Sequence, residues 1–217
     1  MTPIVQTIPD ALPAALCQRW LSAIEQHAAA AGGAALRLAD IASIDLPQAL
    51  RHIASAPVGR LIQQRLGPAP WCNIDQCWVR RQHPPATRPP GEHPHSWHQD
   101  GALGHDFSLP AEADGGLLTM ATLWLALQPC GDEAPSLEWS AVSPPELIEP
   151  HALARHAVQT QHARLQAGDA LLFCGAVLHR TYVHAAMTRP RTSLEFRFFT
   201  EPAPRLAQQG WRPWPAA

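Results

Sequence analysis

The chain has 217 residues and a formal net charge of -2, from 16 Lys and Arg against 18 Asp and Glu, so it lacks a basic block able to neutralise a run of phosphates; nucleic acid is not an expected partner. Its length suits one domain with a sizeable core, and no shift in composition divides it, so residues 1–217 are read as a single domain. The longest apolar run, residues 117–127, is broken by Thr119 and Thr122 and falls short of the roughly 20 residues that a spanning helix needs.

The first ten residues carry no basic start followed by an apolar segment, so no secretory signal is expected and the chain is placed in the cytoplasm. The five cysteines (Cys17, Cys72, Cys77, Cys130, Cys174) are odd in number and widely spaced, which suits reduced thiols better than a disulfide framework or a zinc finger. Twenty-three prolines and 13 glycines imply many turns and favour an all-β body with flanking helices.

In chain order, Asp10 is expected to cap a helix whose Leu12, Leu16, Trp20 and Ile24 recur every four residues, with Gly32 and Gly33 ending it. A second helical region, residues 46–66, carries Leu50, Ile53, Leu61 and Ile62 as its apolar stripe; Pro57 divides it and Gly67 with Pro68 stops it. Residues 10–66 thus read as a helical cover over a β core at about 73–200. Residues 73–82 are β-prone, and the proline-rich stretch 83–94 that follows cannot be regular. That loop leads directly into Trp97-His98-Gln99-Asp100-Gly101.

After Gly115 and Gly116, residues 117–128 read as a strand buried on both faces. Residues 136–139 form a short strand, and residues 144–156 mix prolines with helix formers and carry no assignment. Gly168 and Asp169 turn into a strand at 170–174, and another strand ends near His179. On the last strand, residues 191–200, Arg191, Ser193, Glu195 and Arg197 fall on one face and Leu194, Phe196 and Phe198 on the other. In a small barrel the polar face lines the cavity while the phenylalanines pack outward under the helices.

His98 and Asp100 are two residues apart, the spacing that points both side chains to one side of an extended strand. About one such pair is expected by chance in this composition, so the context has to supply specificity. A mononuclear iron oxygenase needs two neutral imidazoles and one carboxylate on one face of the metal, leaving three positions open. His179 lies 81 residues beyond His98 and is the candidate third ligand.

The order WHQDG, LLTMATLWLALQPCGDEAPSLEW, GDALLFCGAVLHRT and RTSLEFRFF, spanning roughly residues 73–200, resembles the phytanoyl-CoA dioxygenase superfamily of Fe(II)/2-oxoglutarate oxygenases. The resemblance implies a double-stranded β-helix, with His98, Asp100 and His179 as metal ligands and Fe(II), 2-oxoglutarate and O2 as the reacting set. It also implies a basic residue on the last strand that grips 2-oxoglutarate. Arg191, 12 residues after His179, is preferred and Arg189 is the rival; a guanidinium fork suits a carboxylate. Ser193, Gln82 and Thr122 are assigned to the same co-substrate, and Arg197 to an ion pair with Glu195 or Glu201. Trp97 can shape the site, whereas His93, His95, His105 and His184 are assigned to solvated loops.

Where this family often carries Pro-Gly-Ser-His, the chain has residues 138–143, Glu-Trp-Ser-Ala-Val-Ser. With little room for an acyl-CoA platform, the expected substrate is a small metabolite, hydroxylated as 2-oxoglutarate becomes succinate and CO2. Arg80, Arg81 and Arg88 favour one with an anionic group, and the loop at 83–94 is its expected entrance, ordering as substrate binds. Oligomeric state is not legible. The competing reading is a cupin-like metal enzyme, an isomerase or sugar-modifying enzyme, which has no use for Arg191.

Overall fold

The computed structural model describes residues 5–31, 35–102, 117–202 and 210–215. The amino-terminal part holds β1 (Gln6–Ile8), α1 (Ala14–Ala31), β2 (Ala35–Arg37), α2 (Leu46–Ser55) and α3 (Pro57–Leu66). The body follows with β3 (Trp71–Asn73), β4 (Trp78–Gln82), β5 (His98–Gln99), β6 (Met120–Ala126), β7 (Ser136–Ser140), α4 (Leu153–His156), β8 (Thr160–His162), β9 (Ala170–Cys174), β10 (Leu178–Tyr182), β11 (Arg191–Phe199) and β12 (Trp211–Pro213).

Two antiparallel sheets form. The larger runs β1-β9-β6-β11-β3-β12, with β4 pairing both β11 and β2; the smaller runs β5-β10-β7-β8. The strand β11 is central because it pairs β6 over seven residues, Ser193↔Ala126 through Phe199↔Met120, and β4 and β3 along its other edge.

The alternation on β11 divides the interior. Leu194, Phe196 and Phe198 join Leu123, Leu125 and Leu172 on the outer face of the large sheet, where Leu16, Ile24, Ile53 and Ile62 of the helices cover them. On the inner face Trp124, Leu171 and Phe173 of the large sheet meet Leu137 of the small one. Every residue of β6 is buried, as its unbroken apolar run requires of a strand covered on both faces. The outward packing of the phenylalanines is as the alternation predicts. Truncating Phe196, fully buried among the helices, would cost about 3–5 kcal/mol.

Helix boundaries follow local chemistry. The Asp45 carboxylate accepts from the Gln48 amide at 2.9 Å and caps α2. Pro57 forces Ala56 into an extended conformation (ψ 162), which ends α2 and starts α3, and Gly67, at φ 97, ends α3. Asp10 is not the cap expected of it: it sits at φ 50 and donates its backbone N–H to Asp169 Oδ1 at 2.9 Å. The helix begins instead at Ala14, where the Pro13 carbonyl accepts from Leu16 and Cys17. The expected stop at Gly32 and Gly33, together with Gly115, Gly116 and His105, lies outside the described residues.

Two other expectations need correction. The strand through WHQDG is extended only at His98 and Gln99, after which a 3-10 turn, Asp100–Ala102, begins. His179 does not end its strand but stands second in β10. Short elements escape sequence reading altogether: β1, β2, β8 and β12 have three residues each, too few to show a period.

Candidate metal centre

His98 and His179 face each other across the ladder between β5 and β10, with ring centroids 4.2 Å apart. Asp100 joins them because the chain turns immediately after Gln99. The turn is made possible by close approach of two glycines: the Gly101 amide donates to the Gly175 carbonyl at 2.8 Å, and a Cβ on Gly175 would lie 2.8 Å from Gly101 Cα. One ligand atom from each of His98, Asp100 and His179 lies within 4.8 Å of the others.

Hydrogen bonds fix the tautomer of both imidazoles. His98 Nδ1 is 2.7 Å from the Ser96 carbonyl and His179 Nδ1 is 2.9 Å from the Val177 carbonyl. A carbonyl only accepts, so each Nδ1 carries the proton and each Nε2 turns a lone pair inward. Those Nε2 atoms lie 3.7 and 4.0 Å from Asp100 Oδ1.

Two side chains from the large sheet hold Asp100. Thr122 Oγ1 donates to Oδ2 at 2.6 Å and Arg197 Nη2 donates to Oδ1 at 2.9 Å. Both reach it because Thr122 and Arg197 are paired across β6 and β11. Arg197 forms the expected ion pair with Glu195, at 3.8 Å, but lies closer to the Asp100 carboxylate. Thr122, expected beside the co-substrate, turns its hydroxyl to Asp100. Its place on the face of Arg191 was the available signal for Arg197; nothing in the sequence tied Thr122 to Asp100.

Burial opposes ionisation of Asp100, but Arg197, His179, His98 and the Thr122 hydroxyl together hold its carboxyl well below the usual range. Burial and the neighbouring His98 push His179 down to about 4, so its ring is neutral at physiological pH. The cluster therefore offers two ring nitrogens and one anionic oxygen, a donor set that fits a divalent iron with positions left open.

Beside it lies a cavity of about 280 Å³ whose lining includes His98, His179, Trp124, Leu137, Gln82 and Arg191. Arg191 is 2% exposed, with its guanidinium 5.0 Å above the Trp124 ring. Its donors reach the Pro135 and Arg80 carbonyls and, at 2.7 Å, the Ser193 hydroxyl. Burial lowers it to about 10, still fully charged at pH 7. Among the described residues no carboxylate forms an ion pair with it. Arg189, by contrast, is a surface residue paired with Glu133 at 3.1 Å. Gln82, opposite Arg191 in the β4-β11 ladder, donates to Glu92 Oε1 at 2.6 Å.

A larger cavity, about 580 Å³, shares Arg80, His93, His95 and His98 with the first and has Trp97, Pro150, Leu153 and Ala154 in its wall. His93, His95 and His184 are exposed on irregular chain, as expected, and His93 and His95 also line both cavities. The loop at 83–94 contains one 3-10 turn, Pro85–Thr87, and is pinned at its ends where Glu92 accepts from the His83 amide at 2.7 Å and contacts its ring nitrogen at 2.7 Å. Residues 144–156, unassigned from sequence, supply the wall through Pro150–Ala152 and α4. No described helix is long and apolar enough to cross a membrane.

Among solved structures, similar ones include SnoK, the non-heme alpha ketoglutarate dependent carbocyclase from nogalamycin biosynthesis, at 13% identity over 89% of this chain and 78% of that one, with a TM-score of 0.65. EctD from S. alaskensis, solved with 2-oxoglutarate and 5-hydroxyectoine, matches at 14% identity over 90% and 71%, with a TM-score of 0.64. The chain has their fold. The epimerase SnoN, in complex with Fe3+, alpha ketoglutarate and nogalamycin RO, shares it at 15% identity over 90% and 78%, with a TM-score of 0.56. No protein-family model matches the chain, and no curated protein does.

Proposed function

We propose that the chain is an Fe(II)/2-oxoglutarate-dependent oxygenase on a double-stranded β-helix, akin to the phytanoyl-CoA dioxygenase superfamily, that hydroxylates a small metabolite bearing an anionic group. The observation that carries this reading is Arg191. A fully buried guanidinium whose hydrogen bonds go to neutral acceptors, with Glu92 and Glu195 acting on it only through space, still has room for an anion in direct contact, and it lines the same small cavity as His98 and His179.

His98, Asp100 and His179 would hold Fe(II), which with 2-oxoglutarate and dioxygen would supply the oxidising power for hydroxylation, with succinate and CO2 as co-products. The residues do the rest. His98 and His179 present Nε2 lone pairs, and Asp100 presents a carboxylate kept ionised by Arg197 and Thr122. Arg191, with Ser193 orienting its fork, grips the distal carboxylate of 2-oxoglutarate, and the Gln82 amide flanks it. Trp124 and Leu137 wall off water from that end. In the larger cavity Arg80, which also lines the smaller one, faces an anionic substrate group while Trp97, Pro150 and Leu153 take its apolar part. Arg80 is held in place by Glu195 at 3.1 Å and by the Trp78 ring at 5.0 Å. The loop at 83–94 contributes Gly91, Glu92, His93 and Pro94 to the two cavities and forms the entrance.

The cupin-like alternative, with a metal but no 2-oxoglutarate, leaves the charge of Arg191 without a purpose. Anaerobic titration decides between them. Fe(II) followed by 2-oxoglutarate should produce a visible charge-transfer band in the wild type and none in Asp100→Ala. A wild type that binds Fe(II) but gives no band and no affinity for 2-oxoglutarate would favour the alternative.

A further inference from the structure

Gln99 sits between two candidate metal ligands, yet its side chain points away from them and is 3% exposed. Its amide nitrogen donates to the carbonyls of Glu146 and Ala176, each at 3.1 Å, and its Oε1 accepts from the Ile148 amide at 2.8 Å. The bonds to Glu146 and Ile148 tie β5 to a segment, residues 141–149, that belongs to neither sheet, and the bond to Ala176 ties it to the turn before β10. That segment leads into Pro150–Ala152 and α4, the wall of the larger cavity. The wall is otherwise held by a small apolar cluster, Ile148, Leu153 and Leu178 with Trp97 against it, and by Ser143, whose hydroxyl accepts from the Leu178 amide at 2.9 Å.

We propose that Gln99 is a positioning residue that registers the substrate-side wall against the metal strand. The idea rests on the oxygenase reading for the meaning of that wall, and on geometry alone for the connection itself. Because a strand alternates sides, Gln99, next to the inward-facing His98 on β5, faces outward. In this chain that outward position carries a primary amide, which has two donor hydrogens and a two-lone-pair acceptor; two of its bonds go to the irregular segment 141–149 and the third to Ala176, in the connection between β9 and β10. A hydrophobic residue of the same size would fill the space but leave the Glu146 and Ala176 carbonyls and the Ile148 amide without these partners. The contour of the wall beside Trp97 and Leu153, and hence which substrate body fits, would then drift relative to His98 and Asp100. Metal binding would not, because neither Nε2 nor the carboxylate touches Gln99.

Amide hydrogen exchange on the full chain, with Co(II) titration alongside, tests this. In Gln99→Met, exchange of the Ile148 amide and of peptides spanning 146–154 should speed up by about tenfold, the effect of losing one buried hydrogen bond, while Co(II) affinity stays within about threefold of wild type. Gln99→Glu keeps the acceptor for Ile148 and should retain its protection. The proposal is overturned if Ile148 exchanges as fast in the wild type as in an unstructured peptide, or if Gln99→Met leaves 146–154 unchanged. It is also overturned if exchange rises everywhere and Co(II) affinity collapses with it, the signature of a generally structural residue. The wild-type measurement decides even if a variant does not fold. Should the wild type bind no Co(II), the oxygenase reading fails while the exchange result still judges Gln99.

Discussion

Arg197 and Asp100 form a buried ion pair, 2.9 Å from Nη2 to Oδ1, with side chains only 4% and 3% exposed. The oxygen that Arg197 holds is the one facing both imidazoles, so guanidinium and metal share one carboxylate. Removing one partner of a buried pair strands the other charge, at a cost of about 3–5 kcal/mol. Arg197→Met should therefore lower the stability of the metal-free protein by that amount in denaturant titrations. Adding Co(II) should then raise the melting temperature more in the variant than in the wild type, because the metal becomes the main positive partner of Asp100. Equal increments would show that Arg197 and the metal do not compete for the oxygen.

The contrast between Arg191 and Arg189 gives a second test. Arg191 is buried on the small cavity, and Arg189 is on the surface with Glu133. Arg191→Gln should raise the 2-oxoglutarate concentration needed for half-saturation roughly a hundredfold, as expected for a lost charge-assisted fork. Arg189→Gln should leave it unchanged, since an exposed pair contributes little. The reverse pattern would move the anchor to Arg189.

Acid should weaken the metal-free protein through His179. Its folded pKa of about 4 lies below the ordinary value of 6.5, so between those limits the unfolded chain takes up a proton that the folded chain refuses. Stability is then full above pH 6.5 and falls as pH drops toward 4. The loss between pH 7 and pH 5 is about 2 kcal/mol from this group. Asp100, held below its usual range, acts in the same direction at lower pH. Denaturant midpoints at pH 7 and pH 5 measure the slope, and His179→Gln should flatten it. An unchanged slope in that variant would assign the acid sensitivity elsewhere.

Gly175→Ala probes the turn that brings Asp100 to the histidines. The added methyl would meet Gly101 Cα at 2.8 Å and the Met120 side chain at 2.7 Å. Relief requires the 100–102 turn to move, which displaces Asp100 before it disturbs either sheet. Co(II) affinity should fall by at least about tenfold, the scale on which disturbed ligand support acts, while far-ultraviolet circular dichroism stays native. Wild-type affinity would mean that the turn yields without carrying Asp100 with it.

The sequence by itself determined the elements whose signals are local or periodic. The apolar run of β6, the split of the helical region at Pro57 and the two-faced β11 follow from residue-level sterics and side-chain alternation, and the structure repeats them. The His98 and Asp100 spacing with a distant His179 was legible as a candidate ligand set because those residue types at that spacing suit one metal. Tertiary structure alone decided what those ligands lean on. Arg197 reaches Asp100 across 97 residues and Thr122 across 22, and both meet it only because β6 and β11 pair in one register. The glycine contact that turns Asp100 inward and the three bonds of Gln99 to residues 146, 148 and 176 likewise join segments with no shared local pattern. Propensity and periodicity report on neighbours along the chain. Which buried donor meets which distant acceptor is set by sheet register and close packing, and these exist only once the chain has folded.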